Sequence, residues 1–418
     1  MTNQVRFAVI GAGSRGNGYA HYATQHPNLA EVVGVAEPRD PARMRLVADH
    51  DIAPDLIFTD WAEAAQREKF ADAVVITTQD AMHVEPAIAF AEKGYHILLE
   101  KPMAPTAEDC KRIVEAVKAN GVILGVGHVM LYTPYTRALK KILDQGTIGD
   151  IVSVQHLEPV GYWHQAHSFV RGNWRNEAES SFMLLAKSCH DIDWLRYIVG
   201  QRCQAVSSFG SLKHFRRAEK PAQAGDALRC LDCAYEPDCP YSAPKLYFGT
   251  LERGHTGWPV NVITFDVTKE GVTEALRQGP YGRCVYECDN DVVDHQVVNM
   301  QFAGGRTASF TMTAFTPQGH RQTRIFGTRG QIEGDGQKIH ITDFVTDQTT
   351  TVDTTAGDAS ISGGHGGGDY GLMATFIEAV ANNDPSGLLS GPDETLESHL
   401  MVFAAEQARR ENRVVEMG

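Results

Sequence analysis

The sequence predicts an α/β protein with an N-terminal doubly wound parallel sheet and a C-terminal α+β domain built on a large, mostly antiparallel open sheet. Strand and helix patterns alternate from residue 1 to about residue 125, which is typical of a parallel sheet connected by helices. Residues 246–355 instead follow the period of β-strands. We therefore divide the chain into residues 1–128 and 129–418, with a cysteine-rich insertion at about 203–245.

The first strand runs into a glycine-rich loop. The apolar run Phe7–Ile10 is followed by Gly11, Gly13 and Gly16 in G-x-G-x-x-G spacing, and a helical pattern follows from Tyr19. In this context the first glycine allows a tight turn, the second lets a pyrophosphate approach the backbone, and the third lets the helix pack on the strand. The helix N-terminus also offers unpaired N–H groups to phosphates. We predict a dinucleotide-binding Rossmann domain with Gly11, Gly13, Ser14, Arg15 and Gly16 at the cofactor.

The second strand ends in an acid. Glu37 follows the strand pattern at 31–36, about 20 residues beyond the loop, where an acid accepts hydrogen bonds from the adenosine ribose hydroxyls. A carboxylate there would repel a 2′-phosphate, so NAD is favoured over NADP. Arg39 keeps NADP open as the less favoured cofactor, because an arginine two residues on could bind that phosphate.

Polar residues follow the later strands of the first domain. We predict strands at 5–10, 31–36, 56–58, 72–77, 95–99 and 122–126, and helices at 17–26, 40–49, 61–67, 83–93 and 106–119. Ligands bind beyond the carboxyl ends of such strands. The residues that follow these ends, and that we add to the predicted cofactor site, are Thr78, His83, Glu100, Lys101 and His128.

Composition argues against several kinds of partner. The chain has 418 residues, 43% of them hydrophobic, and a formal net charge of −14. This acidity argues against nucleic acid or an anionic membrane as the partner, and no apolar stretch is long enough to span a bilayer. The N-terminal residues lead directly into a strand and do not have the pattern of a signal peptide, so we expect a cytoplasmic protein.

The stretch His96–Pro102, which ends in Glu-Lys-Pro, resembles the glucose–fructose oxidoreductase / inositol dehydrogenase (Gfo/Idh/MocA) family, and the resemblance extends over essentially the whole chain. It implies a Rossmann domain followed by an α/β domain, with Lys101 beside the nicotinamide and the substrate hydroxyl. It also implies a homodimer or homotetramer whose copies meet at the outer face of the second sheet.

The stretch Leu184–Leu195 matches the family helix that carries the catalytic histidine, and His190 falls on that position. Imidazole suits proton transfer because its pKa lies near neutrality. The family usually has an aspartate four residues earlier, where this chain has Ala186. Lys187, on roughly the same helix face as His190, either lowers the pKa of that histidine, binds an anionic or carbonyl group, or pairs with Asp191 or another acid. The predicted catalytic residues are Lys101, His190 and Lys187.

A polar, aromatic segment at residues 161–175 precedes this helix. Aromatic rings stack on the apolar faces of sugars while polar groups bind the hydroxyls, so the segment suits carbohydrate recognition. The alternative is a loop held together by its own aromatic side chains. The candidate substrate-binding residues are Tyr162, His164, His167, Arg171, Trp174 and Arg175.

The insertion carries a cysteine pattern. Cys230 and Cys233 form a C-x-x-C pair, and Cys239 follows. This spacing resembles part of a zinc knuckle, whose fourth ligand Cys284 or Cys288 could supply. We assign Cys230, Cys233, Cys239 and Cys284 to a candidate structural zinc site, with an iron–sulfur cluster or free thiols as the alternatives.

The C-terminal half is predicted to contain strands at 260–265, 294–302 and 307–314, hairpins at 321–354, and helices at 136–145, 370–381 and 394–411. A glycine-rich run, residues 363–369, precedes the first of the last two helices. It resembles a run in NAD-dependent glycoside hydrolases of the same superfamily, and its glycines allow a close approach to a ligand. His365 is therefore a further candidate for substrate binding.

These features predict an NAD-dependent oxidoreductase that acts on a hydroxyl of a sugar, polyol or glycoside. The alternative is an NAD-dependent glycoside hydrolase, in which oxidation at C3 acidifies the C2 proton, the aglycone leaves by elimination, and water adds before the ketone is reduced. The histidine-rich loop at 161–175, the missing family aspartate at position 186 and the run around His365 favour this alternative. A non-catalytic NAD-binding sensor is a third class, against which Lys101 and His190 argue.

Overall fold

The computed structural model describes residues 4–355 and 365–418. The first part of the chain forms a six-stranded parallel sheet. Its strands are β1 (Val5–Ile10), β2 (Ala30–Ala36), β3 (Ile57–Phe58), β4 (Ala73–Ile76), β5 (His96–Leu99) and β6 (Leu124–Val126). Its helices are α1 (Ser14–Gln25), α2 (Asp40–His50), α3 (Trp61–Gln66), α4 (Val84–Glu92) and α5 (Ala107–Ala119). All of these elements were predicted, and the prediction of a Rossmann sheet is confirmed.

The strand order of this sheet places two loops side by side. The order is β3-β2-β1-β4-β5-β6, so β1 pairs with β2 on one side and with β4 on the other. The chain reverses its direction of winding between β1 and β4, which is the switch point where open parallel sheets bind ligands. The glycine loop follows β1 and the turn at Thr78 follows β4, so both flank this crevice.

The second sheet has nine strands, in the order β14-β13-β12-β11-β7-β10-β9-β8-β15. The strands are β7 (Ile151–Pro159), β8 (Cys203–Ser211), β9 (His295–Phe302), β10 (Thr307–Thr313), β11 (Gln322–Gly327), β12 (Gly330–Gly334), β13 (Lys338–Asp343), β14 (Gln348–Asp353) and β15 (Val415–Glu416). Strands β7 and β10 run parallel, and the other neighbours run antiparallel within the described residues. The predicted mostly antiparallel sheet is therefore confirmed.

Eight helices are described in the second part of the chain. They are α6 (Pro134–Asp144), α7 (Tyr162–His164), α8 (Met183–Val199), α9 (Ala243–Glu252), α10 (Val260–Ile263), α11 (Lys269–Gln278), α12 (Gly368–Asn382) and α13 (Pro392–Glu411). Helix α8 contacts β7, β10 and α13, and most of its residues are buried. A helix buried on nearly all sides lies in the core. Within the described residues, no helix combines the length and the apolar character needed to cross a bilayer.

Two predictions about the second half were wrong. The stretch 260–265 is not a strand, because residues Val260–Ile263 form the short helix α10. Val260 is fully buried while Val262 is 40% exposed, so the two do not share a face as they would in a strand. The predicted insertion at 203–245 begins too early, since residues Cys203–Ser211 form β8 of the large sheet. The irregular segment starts after Ser211 and extends through α9, α10 and α11.

Candidate active site

The glycine loop has the geometry of a phosphate cradle. A Cβ on Gly11, where φ is +97°, would lie 2.8 Å from the carbonyl oxygen of Thr77, and a Cβ on Gly16 would lie 2.1 Å from that of Gly11. A Cβ on Gly13 would meet only Arg39, at 3.7 Å, so Gly13 faces open space. Helix α1 begins after Gly13 with no side-chain cap and no acid in its first turn. Its N-terminal N–H groups are thus left for an anionic ligand, and the loop fits a dinucleotide pyrophosphate.

Glu37 is a buried carboxylate with four hydrogen-bond donors around it. Its Oε2 accepts from the backbone N–H of Ala12 (2.8 Å) and from Nη2 of Arg39 (2.9 Å), and its Oε1 accepts from the backbone N–H and Nε of Arg39 (3.0 and 2.7 Å). Burial opposes ionisation, but these donors hold the pKa of Glu37 below its ordinary value. A carboxylate has about four acceptor positions. Ribose hydroxyls can therefore bind here once the half-exposed Arg39 swings towards solvent.

Arg15 joins the glycine loop to the Glu-Lys-Pro turn and to helix α12. Its Nε donates to Oε1 of Glu100, and its Nη2 donates to the hydroxyl of Tyr19 (2.6 Å) and to Oδ1 of Asp369 (2.7 Å) in α12. The Tyr19 hydroxyl also donates to Glu100, at 3.0 Å. Burial opposes ionisation of Glu100, but Arg15 and Lys101 keep its pKa below the ordinary value. Arg15 and Glu100 therefore hold the loop, the Glu-Lys-Pro turn and α12 in one network.

The predicted residues at the other strand ends differ in their accessibility. His83 is buried, with Nδ1 2.8 Å from the carbonyl oxygen of Pro102 and Nε2 3.2 Å from that of Thr78. It therefore ties the Thr78 turn to the Glu-Lys-Pro turn. His128 has no exposed surface and packs edge-on against His399. Burial lowers the pKa of His128 to about 3. We correct the assignment of His128 to the cofactor site, because a fully buried ring cannot contact a ligand.

Lys101 contacts the helix that carries His190. The Lys101 Nζ donates a hydrogen bond of 2.6 Å to the backbone carbonyl of Ala186 in α8. Ala186 lies one helical turn before His190. A residue at the end of strand β5 and the helix of the second domain thus meet in one place. Lys101 is thus held one helical turn from His190 along α8.

Charged side chains surround His190 in a buried network. Lys187 Nζ lies 2.9 Å from Oε1 of Glu158, at the end of β7. Arg321 Nε lies 2.8 Å from Oε2 of Glu158 and donates a 2.7 Å hydrogen bond to Oδ1 of Asp191. Its single Nε–H points at Asp191, so its contact with Glu158 is ionic. Of the three interpretations of Lys187, the salt bridge to another acid is present, and that acid is Glu158 rather than Asp191.

His190 is held neutral. Arg321 Nη2 lies 2.9 Å from Nε2 of His190. Because a guanidinium can only donate, Nε2 accepts and Nδ1 carries the ring proton. Burial, followed by the charge of Arg321, places the pKa of His190 well below its ordinary value, with smaller contributions from Lys101 and Lys187. The expected lowering by Lys187 is present but is not the main cause.

Three aromatic side chains lie next to this network. His164 is half-buried, and burial with the charges of Lys187, His167 and Lys101 lowers its pKa well below the ordinary value. The ring of Trp258, from the insertion, lies edge-on to His164 at 5.1 Å. Trp174 is 38% exposed, and its indole N–H is 3.5 Å from Oδ1 of the buried Asp80 in the turn after β4. His164 is thus close enough to Lys101 and Lys187 to respond to their charges, Trp258 packs against it, and Trp174 lies at the turn after β4.

Three predicted substrate-binding residues are used elsewhere. His167 is buried, 2.7 Å from the hydroxyl of Tyr247 and stacked on Tyr281, and burial lowers its pKa to about 3. Arg171 is 1% exposed and donates to the carbonyl oxygens of Arg283 and Tyr241. Arg175 forms an ion pair with Asp289 and one with Glu179. We correct these three assignments, because the side chains hold the insertion in place and are not available to a substrate.

Two further residues predicted to bind substrate are Tyr162 and His365. Tyr162 is 40% exposed, and its ring lies 6.3 Å from that of Tyr241 in the insertion. The contact of Tyr162 with a substrate stays a prediction. The backbone of His365 lies in a short turn before α12, but its side chain and residues 356–364 lie outside the described part of the chain. The predicted contact of His365 with a substrate is therefore not tested.

The four cysteines assigned to zinc lie around one cavity, which they share with Arg171. All eight cysteines are free thiols. Over residues 4–355 and 365–418, no group of three or more His, Cys, Asp or Glu side chains is placed so that it could hold a metal ion. The predicted zinc site is thus absent as a formed site, although its members are brought together.

Sequence reasoning missed Glu158, Arg321 and Trp258. Glu158 has a weak signal, since it is an acid at the end of an apolar strand and directly before the aromatic segment. Arg321 lies in a loop before β11 with no motif around it, and Trp258 lies just before the stretch 260–265 that we predicted as a strand. Only the tertiary fold places these three side chains beside His190 and His164.

Comparison with known proteins agrees with this architecture. The glycine cradle at the switch point, the acid after β2 and the second sheet define a dinucleotide-binding protein of the oxidoreductase class. Residues 5–128 match the model of an oxidoreductase family with an NAD-binding Rossmann fold, and residues 140–417 match the model of the C-terminal alpha/beta domain of the same family. The chain belongs to the Gfo/Idh/MocA oxidoreductase family.

Individual relatives are distant. The chain is 26% identical over 271 residues to 2,7-anhydro-N-acetylneuraminate hydratase of Escherichia coli, an alignment that covers 64% of this chain and 67% of that one. It is 29% identical over 239 residues to scyllo-inositol 2-dehydrogenase (NAD(+)) of Bacillus subtilis, covering 56% and 65% of the two chains. A levoglucosan dehydrogenase structure with NADH and levoglucosan has a TM-score of 0.71 at 19% identity and covers 99% of both chains. At that identity the likeness shows the fold alone.

Proposed function

We propose that the protein is an NAD-dependent oxidoreductase acting on a hydroxyl, or the corresponding ketone, of a sugar, polyol or glycoside. The observation that carries this proposal is the 2.6 Å hydrogen bond from Lys101 to the α8 backbone, one turn before His190. It brings the polar end of β5 and the charged network of α8 to the crevice beside the glycine loop. Relatives named scyllo-inositol 2-dehydrogenase and levoglucosan dehydrogenase support a carbohydrate-like substrate.

The residues that would hold NAD are those of the loop and the two strand-end turns. Gly11, Gly13 and the first turn of α1 would bind the pyrophosphate, and Glu37 would bind the adenosine ribose. Arg15 and His83 would position the loop and the turns rather than touch the cofactor. When bound, NAD supplies the two-electron oxidant for the hydroxyl or, as NADH, the reductant for the ketone.

Proton transfer would fall to Lys101 and to the network around His190. Lys101 can donate to a substrate oxygen when it leaves the Ala186 carbonyl. His190, protonated on Nδ1 and neutral, serves first as a hydrogen-bond donor, since its Nε2 is already occupied by Arg321. We propose that Glu158 supplies the carboxylate that the family has at the position of Ala186, and that its ion pairs with Lys187 and Arg321 hold it in place.

Enzyme assays with a defined panel test this function. The panel contains inositols, free aldoses, anhydrosugars and methyl glycosides, each with NAD, and formation of NADH is followed by absorbance. We expect at least one member to be oxidised and the Lys101→Met variant to lose 10²-fold or more in kcat/KM, as for removal of a general acid–base group. Lys111→Met, an exposed lysine on α5, is the matched control. Equal activity of the two variants would contradict the assignment of Lys101.

The second candidate is the redox-dependent glycosidase. The relative named as a hydratase favours it, because hydration is a reaction without net oxidation. In this reading the protein uses the same residues, and NAD is needed only in catalytic amounts. Nitrophenyl glycosides incubated with substoichiometric NAD separate the two functions. Repeated aglycone release per NAD supports the glycosidase, whereas stoichiometric NADH without aglycone release supports the dehydrogenase.

A further inference from the structure

The charged network of the candidate active site contains three cations and two acids. The cations are Lys101, Lys187 and Arg321, and the acids are Glu158 and Asp191. Lys187 and Arg321 form ion pairs with these acids, whereas Lys101 Nζ donates to a backbone carbonyl. One positive charge is therefore left over at this place, in a chain whose formal net charge is −14.

The acids of this network lie deeper in the protein than the cations that pair with them. The side chains of Glu158 and Asp191 are 4% and 0% exposed, whereas those of Lys187 and Arg321 are 15% and 21% exposed. A ligand that approaches from solvent therefore meets the cations first.

Lys187 and Arg321 keep N–H groups that are not used inside the protein. Arg321 directs Nε and Nη2 at Asp191 and His190, which leaves Nη1 without an acceptor in the described part of the chain. The ammonium group of Lys187 has three N–H groups, and its ion pair there is with Glu158. The two cations lie against the two oxygens of that one carboxylate, so they are held near each other. Their remaining donors can bind an anion by charge-assisted hydrogen bonds.

Two histidines at this place have pKa values that agree with a positive environment. Burial is the main cause of the lowered pKa of His190; the three cations lower it further, and Asp191 opposes them. Burial also lowers the pKa of His164, and the charge of Lys187 is the next cause. Both rings thus lie where a further positive charge is disfavoured and an anion is favoured.

We infer that the substrate carries a carboxylate, which Arg321 Nη1 and Lys187 Nζ bind while the reacting hydroxyl or ketone lies at Lys101. This inference rests on the proposed function and narrows its substrate to an acidic sugar, such as a hexuronic or aldonic acid. One carboxylate balances the single positive charge left over, whereas a phosphate ester brings about two negative charges at pH 7. A neutral sugar would leave that charge without a partner once water is displaced.

Matched pairs of acid and amide test the inference. The pairs are glucuronate and glucuronamide, galacturonate and galacturonamide, and gluconate and gluconamide, each with NAD. The amide keeps the shape of the acid and removes its charge. We expect kcat/KM for an acid to be about 10- to 100-fold above that for its amide, which is the effect of losing hydrogen bonds to a charged group. Equal or higher activity on amides, neutral sugars or sugar 6-phosphates would overturn the inference and leave the proposed function intact.

Calorimetric titration of the NADH-saturated protein decides the inference separately from turnover. Failure of every sugar, polyol, glycoside and acid to reduce NAD would count against the proposed function. In that case a lower Kd for the acids than for their amides still supports a carboxylate site. Equal Kd values, or no binding of any acid, overturn it.

Substitutions assign the preference to the two cations. Lys187→Gln and Arg321→Gln should each lower the acid-to-amide ratio of kcat/KM about tenfold or more, mainly through a higher KM for the acid. Arg321→Lys keeps the charge and should keep most of this ratio. Arg324→Gln, which changes an exposed arginine of β11, is the matched control and should leave the ratio unchanged.

An unchanged ratio in both glutamine variants would overturn the assignment of the carboxylate to these cations. Should Arg321→Gln fail to fold, Lys187→Gln and the ratio for the wild-type protein still decide the question.

Discussion

Glu158 offers a direct test of the network around His190. Its two carboxylate oxygens lie 2.9 Å from Lys187 Nζ and 2.8 Å from Arg321 Nε, and its side chain is 4% exposed. Glu158→Gln keeps the shape and removes the charge. Two cations are then left together, with Asp191 as the nearest carboxylate to Arg321.

The expected loss in free energy of unfolding follows from the burial of the ion pair between Glu158 and Lys187. Breaking a buried ion pair on one side costs about 3–5 kcal/mol, and Lys187 retains 15% exposure, so we expect a loss near the lower end, about 3 kcal/mol. Lys187→Met should cost less, about 1 kcal/mol, because Glu158 keeps Arg321. The double variant should be more stable than the sum of the single changes predicts, by about 1–3 kcal/mol, since neither charge is then left unpaired. Urea unfolding measures all three values.

The enzyme activity of the same three variants separates a structural role of Glu158 and Lys187 from a catalytic one. If Lys187 or Glu158 acts on the substrate, the double variant recovers stability but stays about 10²-fold or more below wild type in kcat/KM. The surface pair Arg324–Glu333 gives the matched control, where Glu333→Gln should change stability by less than about 0.5 kcal/mol. A double variant with wild-type kcat/KM would refute the catalytic role of both residues and leave a purely structural salt bridge.

Three further predictions concern cofactor binding, the ion pairs of Arg15, and the pH dependence of stability. Glu37→Ala should raise the Kd for NAD about tenfold or more and reduce the preference for NAD over NADP, because charged hydrogen bonds worth about 1.5–3 kcal/mol are lost. Calorimetric titration with each cofactor measures both effects. Arg15→Met should lower the free energy of unfolding by about 2 kcal/mol, because Glu100 and Asp369 lose their shared cation, which is one-third exposed. Unfolding free energy should also fall between pH 7 and pH 5.5. Burial keeps the folded-state pKa of His128, His167 and His399 at about 3, so only the unfolded chain gains protons in this range, at about 1 kcal/mol for each histidine.

A specific result would contradict each of these three predictions. An unchanged Kd for NAD in Glu37→Ala would show that Arg39 never releases the carboxylate. The free energy of unfolding of Arg15→Met is measured beside that of the surface control Arg6→Met. An unchanged value for Arg15→Met would show that its ion pair with Asp369 does not stabilise the fold. Equal unfolding free energies at pH 7 and pH 5.5 would show that these histidines become protonated in the folded state. If they do not, His128→Gln should reduce the fall in unfolding free energy over this range by about 1 kcal/mol.

The first domain could be predicted because its signals are local in the sequence. The glycine spacing, the acid after β2 and the Glu-Lys-Pro turn each lie within a few residues of a strand end, and parallel strands bring those ends to one edge. Lys101 and Glu37 were therefore placed without any knowledge of the tertiary fold. Local signals cannot show which donors already occupy a carboxylate, and the hold of Arg39 on Glu37 was missed for that reason.

The network of the second domain depends on contacts between distant parts of the chain. Arg321 and Asp191 lie 130 residues apart, and Glu158 comes from a third element. The residue at position 186 was read as a loss of the family aspartate, yet a carboxylate is present nearby from β7. Sequence shows that a local acid is missing, but it cannot show that another strand supplies one.

The winding of the segment before α8 bears on two of the three corrected substrate-binding predictions, His167 and Arg171. Residues Gln165–Arg171 form a π-helix directly after the short helix α7. In an α-helix His164 and Arg171, seven residues apart, would lie on one face, since seven steps of about 100° nearly complete two turns. A π-helix advances roughly 85° per residue, which turns the two side chains more than about 100° apart. His164 accordingly lies near Lys101, while Arg171 enters the cysteine cavity. Because the sequence did not predict this winding, one aromatic segment was interpreted as a single binding surface when it has two faces, one towards the candidate active site and the other towards the cavity lined by the cysteines.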